Sequence, residues 1–339
     1  KIGTKFADYA KEAKQLLLAS GVEVSGESNR NVYRITPMGT TMPTWLTLAD
    51  FSTLKNSNDV LGKRILLVNI AGFLDFNTKF VADAFEANGA ECRIKSVSLP
   101  EFERLRQSPT EMRSANIARV IENKNTLNAL LSTLKGDSNG FDVVALPAVF
   151  GLSSLEPVKV LKDGLNIPVC LVPTMPPSVP GIRTQKQLRR VFEQAGGVYM
   201  LGDSVMKAET VNGRVEKVYT VNHGDIALKA DNFVLATGSF FSNGLKAQMD
   251  RVYEPVFGAD VDFDANRNSW YSVSVFDPQK YRTFGVATDE QFRIKVNGNV
   301  VDNVYAIGSV LSGFDALQEG CGAGVSMLTA LYVADNLKK

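Results

Sequence analysis

The sequence predicts an α/β fold with a parallel sheet, and three features support this prediction. Short, almost wholly apolar segments alternate with amphipathic segments between Lys63 and Thr174. Strands of this kind are typical of a parallel sheet that helices cover on both faces. Two apolar segments in the second half end in glycine-rich stretches, "NFVLATG" and "VYAIGS…EGCGAG", and a long apolar helix follows the second. Both stretches indicate backbone that a ligand can approach closely.

Length and composition indicate a globular protein of more than one domain. The chain has 339 residues, of which 45% are hydrophobic and 22% are charged, and its net charge is +1. This length favours two domains, or one domain with an insertion. The charge balance predicts no nucleic-acid partner, and no apolar run is long enough to span a bilayer directly. Cys92, Cys170 and Cys321 are too widely separated to predict a metal site.

Regular elements can be assigned along the first half. An apolar stripe predicts a helix from Thr4 to Ser20. Within the alternating block, Asn77 suits the start and Gly89 the end of the helix in "NTKFVADAFEANG". Ser108 and Glu111 have the spacing of a capping box, with proline at the first helical position. The sequence therefore predicts one helix through "SPTEMRSANIARVIEN".

The second half has a different character. "TQKQLRRVFEQAGG" predicts an amphipathic helix, and strands joined by Asn-Gly and His-Gly turns follow it. An aromatic-rich, irregular stretch precedes the closing strand, loop and helix. We expect five segments: a part of the ligand-binding domain or cap region at 1–60, an α/β cap with a parallel sheet at 61–175, a return to the ligand-binding domain at 176–245, a cap or substrate-side segment at 246–295, and a closing ligand-binding strand, loop and helix at 296–339.

The two glycine stretches favour a nucleotide-type ligand. A strand that ends in Ala236, Thr237 and Gly238 allows a ring or phosphate to lie against the backbone, although a simple tight turn would give the same letters. A helix that begins near Gly322 presents free N–H groups and a positive dipole end to an anion. Close helix packing is the alternative explanation for those glycines. The two stretches in this order are more specific than either alone.

These stretches carry a resemblance to a known family. The sequence resembles flavoproteins with a two-dinucleotide-binding-domain fold, and within them the B subunits of anaerobic glycerol-3-phosphate dehydrogenases. The collinear stretches that support it are "YRITPMGTTMPTWL", "GFLDFN", "RSANIARVIEN", "PAVFGL", "PTMPPSVPGIRTQ", "NHGDIAL", "ATGSFFSNGL", "FGVATDE" and "AIGSVLSGFDALQEGCGAGV". The resemblance implies a Rossmann-like flavin-binding domain with an inserted α/β cap.

The resemblance also implies an activity and partners. Family B subunits are assigned FMN, with FAD as the alternative here, and work with an FAD-bearing A subunit. An iron–sulfur C subunit anchors them to the inner face of the bacterial cytoplasmic membrane. The complex oxidises sn-glycerol 3-phosphate to dihydroxyacetone phosphate and passes electrons to quinone. Relatives begin with a strand and a glycine-rich turn that this sequence lacks, which we interpret as truncation or disorder.

The family's cofactor contacts can be carried over by position. They predict flavin contacts at both glycine stretches: Ala236, Thr237, Gly238, Gly308, Ser309, Gly320, Cys321, Gly322 and Gly324. Most relatives in the wider family have an acidic residue where this chain has Ser309. A serine can form a hydrogen bond to a ribityl or ribose hydroxyl but supplies no charge.

Catalytic residues are less clearly marked. Removing the hydroxyl proton of a secondary alcohol needs a base, and His223 is the only histidine. It lies in a predicted turn, where a solvated histidine is the alternative interpretation. Arg34 and Arg183 lie beside Pro-Gly backbone and are candidates for the substrate phosphate.

Two other functions remain open at this level. The chain can instead be a non-catalytic interaction subunit with a degenerate flavin site, since the acid at Ser309 and the first glycine turn are lacking. An NAD(P)-dependent dehydrogenase is a weaker alternative, because no stretch provides G-x-G-x-x-G after a strand.

Overall fold

A computed structural model describes residues 1–60 and 63–338. The chain forms two compact units. The central unit comprises residues 14–198, and the terminal unit combines residues 1–13 with the chain from residue 199 onward. The boundary between residues 13 and 14 falls within helix α1 (Phe6–Ala19). The central unit is therefore an insertion in the terminal one.

The central unit contains strands β1–β9 and helices α2–α7. In chain order they are β1 (Val24–Ser25), β2 (Val32–Ile35), β3 (Thr41–Thr44), β4 (Thr47–Leu48), β5 (Thr53–Leu54), β6 (Arg64–Ile70), α2 (Thr78–Ala87), β7 (Glu91–Val97), α3 (Pro100–Arg106), α4 (Ser114–Ile121), α5 (Lys124–Asp137), β8 (Val143–Pro147), α6 (Glu156–Gly164), β9 (Val169–Val172) and α7 (Val179–Gln194).

The main sheet of this unit is parallel, as the sequence predicts. Its strand order is β7-β6-β8-β9, and every neighbouring pair is parallel. The chain leaves β6 toward β7 and returns to β8 on the other side, so the direction of winding reverses between β6 and β8. A three-stranded antiparallel sheet, β3-β2-β5, and the pair β1-β4 complete the unit.

Apolar strands and helix faces form one core in the central unit. Leu67 and Val68 of β6, Phe85 of α2 and Leu130 of α5 are among its fully or almost fully buried members. Ile35 of β2 joins the same core. The helix start predicted at Asn77 is confirmed, because its side chain accepts a hydrogen bond from the backbone N–H of Phe80.

The predicted helix through residues 108–123 is wrong in its first part. Pro109–Glu111 form a single 3-10 turn, and Ser108 makes no side-chain capping bond. The α-helix begins only at Ser114. Its first N–H is bonded by the carboxylate of Asp75, which lies 39 residues earlier in the chain. A cap supplied by a distant loop, rather than the local capping box, sets this start.

The compact units also differ from the predicted segments. Residues 176–198, expected in the flavin-binding domain, belong to the central unit, because Val179 of α7 packs with Ala118 and Leu152. Residues 14–60 belong to it as well. The predicted start of the cap, residue 61, lies outside the described residues.

The terminal unit contains the remaining strands and one long helix. They are β10 (Val205–Val211), β11 (Arg214–Thr220), β12 (Leu228–Lys229), β13 (Phe233–Leu235), β14 (Lys246–Ala247), β15 (Val252–Tyr253), β16 (Val261–Asp262), β17 (Gly285–Val286), β18 (Arg293–Val296), β19 (Asn299–Ala306) and α8 (Gly322–Leu337).

Two three-stranded sheets organise this unit. One has the order β10-β11-β12 and is antiparallel, and its first turn is the predicted Asn-Gly hairpin with Asn212 and Gly213 both at positive φ. The other has the order β13-β19-β18, with β13 and β19 parallel. Trp270 and Phe284, from the irregular stretch, pack in the same core as Val304 of β19.

No helix within residues 1–60 and 63–338 combines the length and apolar character needed to cross a membrane.

Candidate functional site

Two of the sequence-predicted elements meet at one edge of the β13-β19 sheet. The strands pair in parallel, with Leu235 opposite Ala306. The pairing continues one residue further, where the N–H of Ile307 donates to the carbonyl of Leu235 at 3.0 Å. Because parallel strands end at the same edge, Ala236–Gly238 and Gly308–Ser309 leave the sheet side by side.

The helix that follows the third predicted element, α8, lies against the end of β19. The N–H of Gly308 donates to the Thr329 hydroxyl on α8 at 3.0 Å. Gly308 has a φ of +69°, and a Cβ there would lie 3.0 Å from the Ser326 hydroxyl oxygen, also on α8. Glycine at 308 is therefore favoured by the left-handed backbone conformation, and it also leaves room for the close approach of the strand end to the helix.

The N-terminus of α8 is open to a ligand. Its N-cap residue, Cys321, makes no side-chain hydrogen bond to the first turn, and Ala323 is exposed. The first N–H groups of a helix have no partner within the helix and carry a partial positive charge. An anionic or electron-rich group is the ligand that such a helix end prefers.

The loop before α8 is held by Asp315. This buried side chain accepts hydrogen bonds from the N–H groups of Leu317 and Gln318, both at 3.0 Å. Glu319 in turn accepts from the N–H of Asp315. Burial, with the nearby Glu319 carboxylate, raises the pKa of the Cys321 thiol. Cys321 is thus held as a protonated thiol and is not prepared to act as a thiolate nucleophile.

Two cavities of ligand size border this loop. The first, about 540 Å³, is lined by Val325 and Thr329 of α8 and by Leu311, Phe292 and Phe314, among others. The second, about 520 Å³, is more polar and is lined by residues that include Asp262, Asp264, Lys280 and Gly313. Ser312 borders both. Cavities of this volume are in the range that holds small-molecule cofactors and substrates.

These features together fit a flavin. Two strand ends without bulky side chains, a glycine that lies close to α8 and an uncapped helix end leave backbone that an extended ligand can approach. The Ser309 hydroxyl forms no hydrogen bond with the described residues, so it is free to bind one. The residue after Gly308 at the end of β19 is this serine and not an acidic residue, as the sequence indicates.

Comparison with known proteins supports the same interpretation. The family model described as "FAD binding domain" matches residues 2–325. A protein of Yersinia enterocolitica, named as the B subunit of anaerobic glycerol-3-phosphate dehydrogenase, is 41% identical over 97% of this chain and 77% of its own length. The chain belongs to this flavoprotein family.

Other members of the family align over the same extent. Proteins with the same name from Pectobacterium atrosepticum and Glaesserella parasuis are 43% and 38% identical over 97% of this chain. The alignments cover 78% and 79% of those proteins. No solved structure matches the chain. The family model supports a flavin, and FAD in particular, whereas nothing supports the predicted FMN specifically.

His223 lies in the turn after β11, where the sequence predicts it. Its Nδ1 lies 3.1 Å from Asp203 Oδ2 and 2.9 Å from the Thr220 hydroxyl oxygen. Hydrogen bonds from Thr220 and from the N–H of Asn222 hold the pKa of Asp203 at about 2. Asp203 is therefore charged and orients the imidazole. No hydrogen bond or ion pair of the described residues joins His223 to the glycine elements.

The two arginines predicted to bind phosphate have different environments. Arg183 is buried, pairs with the buried Asp50 and donates to the carbonyl of Gly151. Because its guanidinium is bonded to these buried groups, its environment does not support a contact with a substrate phosphate. Arg34, on β2, has no hydrogen-bond or ion-pair partner among the described residues, and burial lowers its pKa. It stays a candidate anion ligand.

Sequence reasoning missed several residues that organise these regions. Asp203, Asp315 and Thr329 carry no distinguishing pattern of their own in the sequence, although each lies in or near a stretch that does. Asp75 and Arg113 lie in "GFLDFN" and "RSANIARVIEN", two of the stretches that carry the resemblance. The signal for them was present, but only the structure brings them into contact.

Proposed function

We propose that the chain is the flavoprotein subunit of a respiratory dehydrogenase complex that oxidises sn-glycerol 3-phosphate to dihydroxyacetone phosphate. The observation that carries the proposal is that the two glycine-rich strand ends leave the sheet side by side and that the end of β19 is bonded to α8, a helix whose N-terminus has no side-chain cap. The names of the relatives, which specify glycerol-3-phosphate dehydrogenase, give the substrate class. The word "subunit" in those names supports assembly with further subunits.

The reaction needs two things from the site. Oxidation of a secondary alcohol removes a hydride from carbon and a proton from oxygen. A bound flavin supplies the acceptor for the hydride. The N–H groups at the start of α8 stabilise negative charge that develops on their ligand, and this favours electron uptake.

We propose FAD as the cofactor. The matching family model is that of an FAD-binding domain, and it covers residues 2–325. Gly308 keeps the end of β19 close to α8, and the Ser309 hydroxyl supplies a hydrogen bond without charge. We further propose that electrons pass through partner subunits to quinone, and that an iron–sulfur subunit holds the complex at the inner face of the cytoplasmic membrane.

The proposal has a direct spectroscopic test. Purified protein is expected to show the visible absorbance of oxidised flavin, and the flavin released by denaturation is expected to co-elute with FAD rather than FMN. sn-Glycerol 3-phosphate, added without oxygen, should bleach that absorbance, whereas glycerol should not. Protein that is colourless, and stays so after reconstitution with either flavin, would contradict the proposal and favour the non-catalytic interaction subunit.

His223 is the proposed base for the hydroxyl proton. In the tautomer whose Nδ1 donates to Asp203, Nε2 is left to accept a proton, the arrangement of a carboxylate-oriented histidine. Replacing His223 by Ala is expected to slow substrate-driven flavin reduction by about 10²–10⁴-fold. Flavin content and reduction by dithionite should stay unchanged. Wild-type rates in H223A would remove His223 from the mechanism.

A further inference from the structure

We propose that the central unit binds a phosphate group at Arg113. This inference goes beyond the proposed function, because it concerns a binding site formed within the central unit alone. The argument starts from the carboxyl edge of the sheet β7-β6-β8-β9. In open α/β sheets, ligands bind at that edge, where the direction of winding reverses. Here the reversal lies between β6 and β8.

Three segments are joined at this edge by backbone hydrogen bonds. The N–H of Leu74, in the loop after β6, donates to the carbonyl of Met112 at 3.1 Å. The N–H of Met175, in the loop after β9, donates to the carbonyl of Asp75 at 2.9 Å. The two loops and the segment before α4 are therefore fixed relative to one another.

A buried carboxylate orients the arginine. Asp75 is 4% exposed and accepts a hydrogen bond from Arg113 Nη1 at 2.6 Å. The N–H and the hydroxyl of Ser114 bond the other oxygen at 3.0 and 3.1 Å. A second hydroxyl, that of Thr174, lies 3.3 Å from the Ser114 hydroxyl. A buried charge held in this way fixes the position of its partner more than it adds stability.

Arg113 itself points its remaining donors outward. Its side chain is 55% exposed, and only Nη1 has a partner among the described residues. The guanidinium has five N–H donors in a planar fork that suits phosphate. The Asp75 carboxylate also accepts a hydrogen bond from the N–H of Ser114, at the positive end of α4. Because its negative charge interacts with both groups, it only partly neutralises the Arg113 guanidinium.

The other arginines that could serve are placed differently. The guanidinium of Arg183 is buried and already bonded to Asp50 and to backbone carbonyls. Arg34 lies within β2, a strand paired on both sides, and no polar side chain positions its guanidinium. Arg113 alone of these three is both oriented by an internal acid and exposed at a strand-end loop.

The surroundings of Arg113 indicate the rest of the ligand. Leu74 and Met175, whose backbones are tied to this network, are each 53% exposed. Apolar surface beside an anion site accommodates a short carbon chain and offers nothing to a second charge. The site therefore suits a small phosphomonoester whose organic part is uncharged.

Calorimetric titration of the purified protein tests the assignment. Inorganic phosphate and sn-glycerol 3-phosphate are expected to bind, and glycerol is not. Arg113→Gln should weaken both anions by about tenfold or more, since a charged hydrogen-bond donor is lost. Arg113→Lys should weaken them less, and Asp75→Asn should weaken them although it touches no ligand. The matched control is Arg119→Gln, six residues further along on α4, whose Nη1 bonds Asn116; it should bind as wild type does.

Several outcomes would overturn the assignment. They are an absence of phosphate binding by wild type, unchanged binding by the folded Arg113→Gln variant, or loss of binding in Arg34→Gln while Arg113→Gln retains it. Flavin absorbance, recorded on the same samples, separates this inference from the proposed function. Flavin present with anion affinity independent of Arg113 refutes only the phosphate site. Phosphate binding that requires Arg113, in protein that stays colourless after reconstitution with either flavin, supports the site and refutes the flavoprotein function.

Discussion

The buried pair between Arg183 and Asp50 allows a quantitative prediction about the central unit. Their side chains are 5% and 1% exposed, and Arg183 Nη2 lies 2.5 Å from Asp50 Oδ1. Arg183 also donates to the carbonyl of Gly151, in the loop after β8. The pair therefore ties α7 to that loop and to the turn after β4.

Replacing Arg183 by Met would leave the Asp50 carboxylate buried without a partner. Removal of one member of such a pair costs about 3–5 kcal/mol, because the other charge keeps its desolvation penalty. With a urea m-value of about 1–3 kcal/mol/M, the midpoint of unfolding should fall by roughly 1–5 M. The double variant Arg183→Met with Asp50→Leu should recover most of the loss, since no charge is then buried.

Arg189→Met is the matched control on the same helix. Arg189 pairs with Glu193 at 2.8 Å, but both side chains are about two-fifths exposed. An exposed pair of this kind contributes about 0.5 kcal/mol or less. The reasoning fails if Arg183→Met unfolds within about 1 kcal/mol of wild type. If that variant also lost phosphate binding, the sequence-based assignment of Arg183 to the substrate would be restored.

Two further predictions concern the terminal unit. The pKa of Asp203 is lowered from 3.8 to about 2, so its contribution to stability is present above its unfolded pKa and is lost as the pH falls from about 4 to about 2. Urea midpoints measured across that range should fall more steeply for wild type than for Asp203→Asn, and parallel curves would contradict this. Gly308→Ala places a side chain at a φ of +69° and 3.0 Å from the Ser326 hydroxyl oxygen, which should cost about 1–3 kcal/mol and lower the flavin content. The control is Gly136→Ala on α5, where nothing lies within 4 Å of the added carbon and the change should be neutral or stabilising.

The sequence determined those features that depend on neighbouring residues. The Asn77 cap of α2 and the Asn212–Gly213 hairpin are local, because each requires particular backbone angles or donors within a few positions. The parallel sheet was predictable for a related reason. Strands that are buried on both faces must be apolar along their length, and such apolar runs are visible directly in the sequence.

The tertiary structure decided which charges meet. Helix α4 begins at Ser114 and not at the predicted Ser108, because Asp75, which lies in a distant loop, caps its first turn. The same Asp75 carboxylate pairs with Arg113 and orients its guanidinium, whereas Arg183 is buried and pairs with Asp50. A guanidinium has the same chemistry at every position in the sequence. Whether it binds a ligand or an internal carboxylate depends on burial and on partners that only the folded chain brings within hydrogen-bond distance.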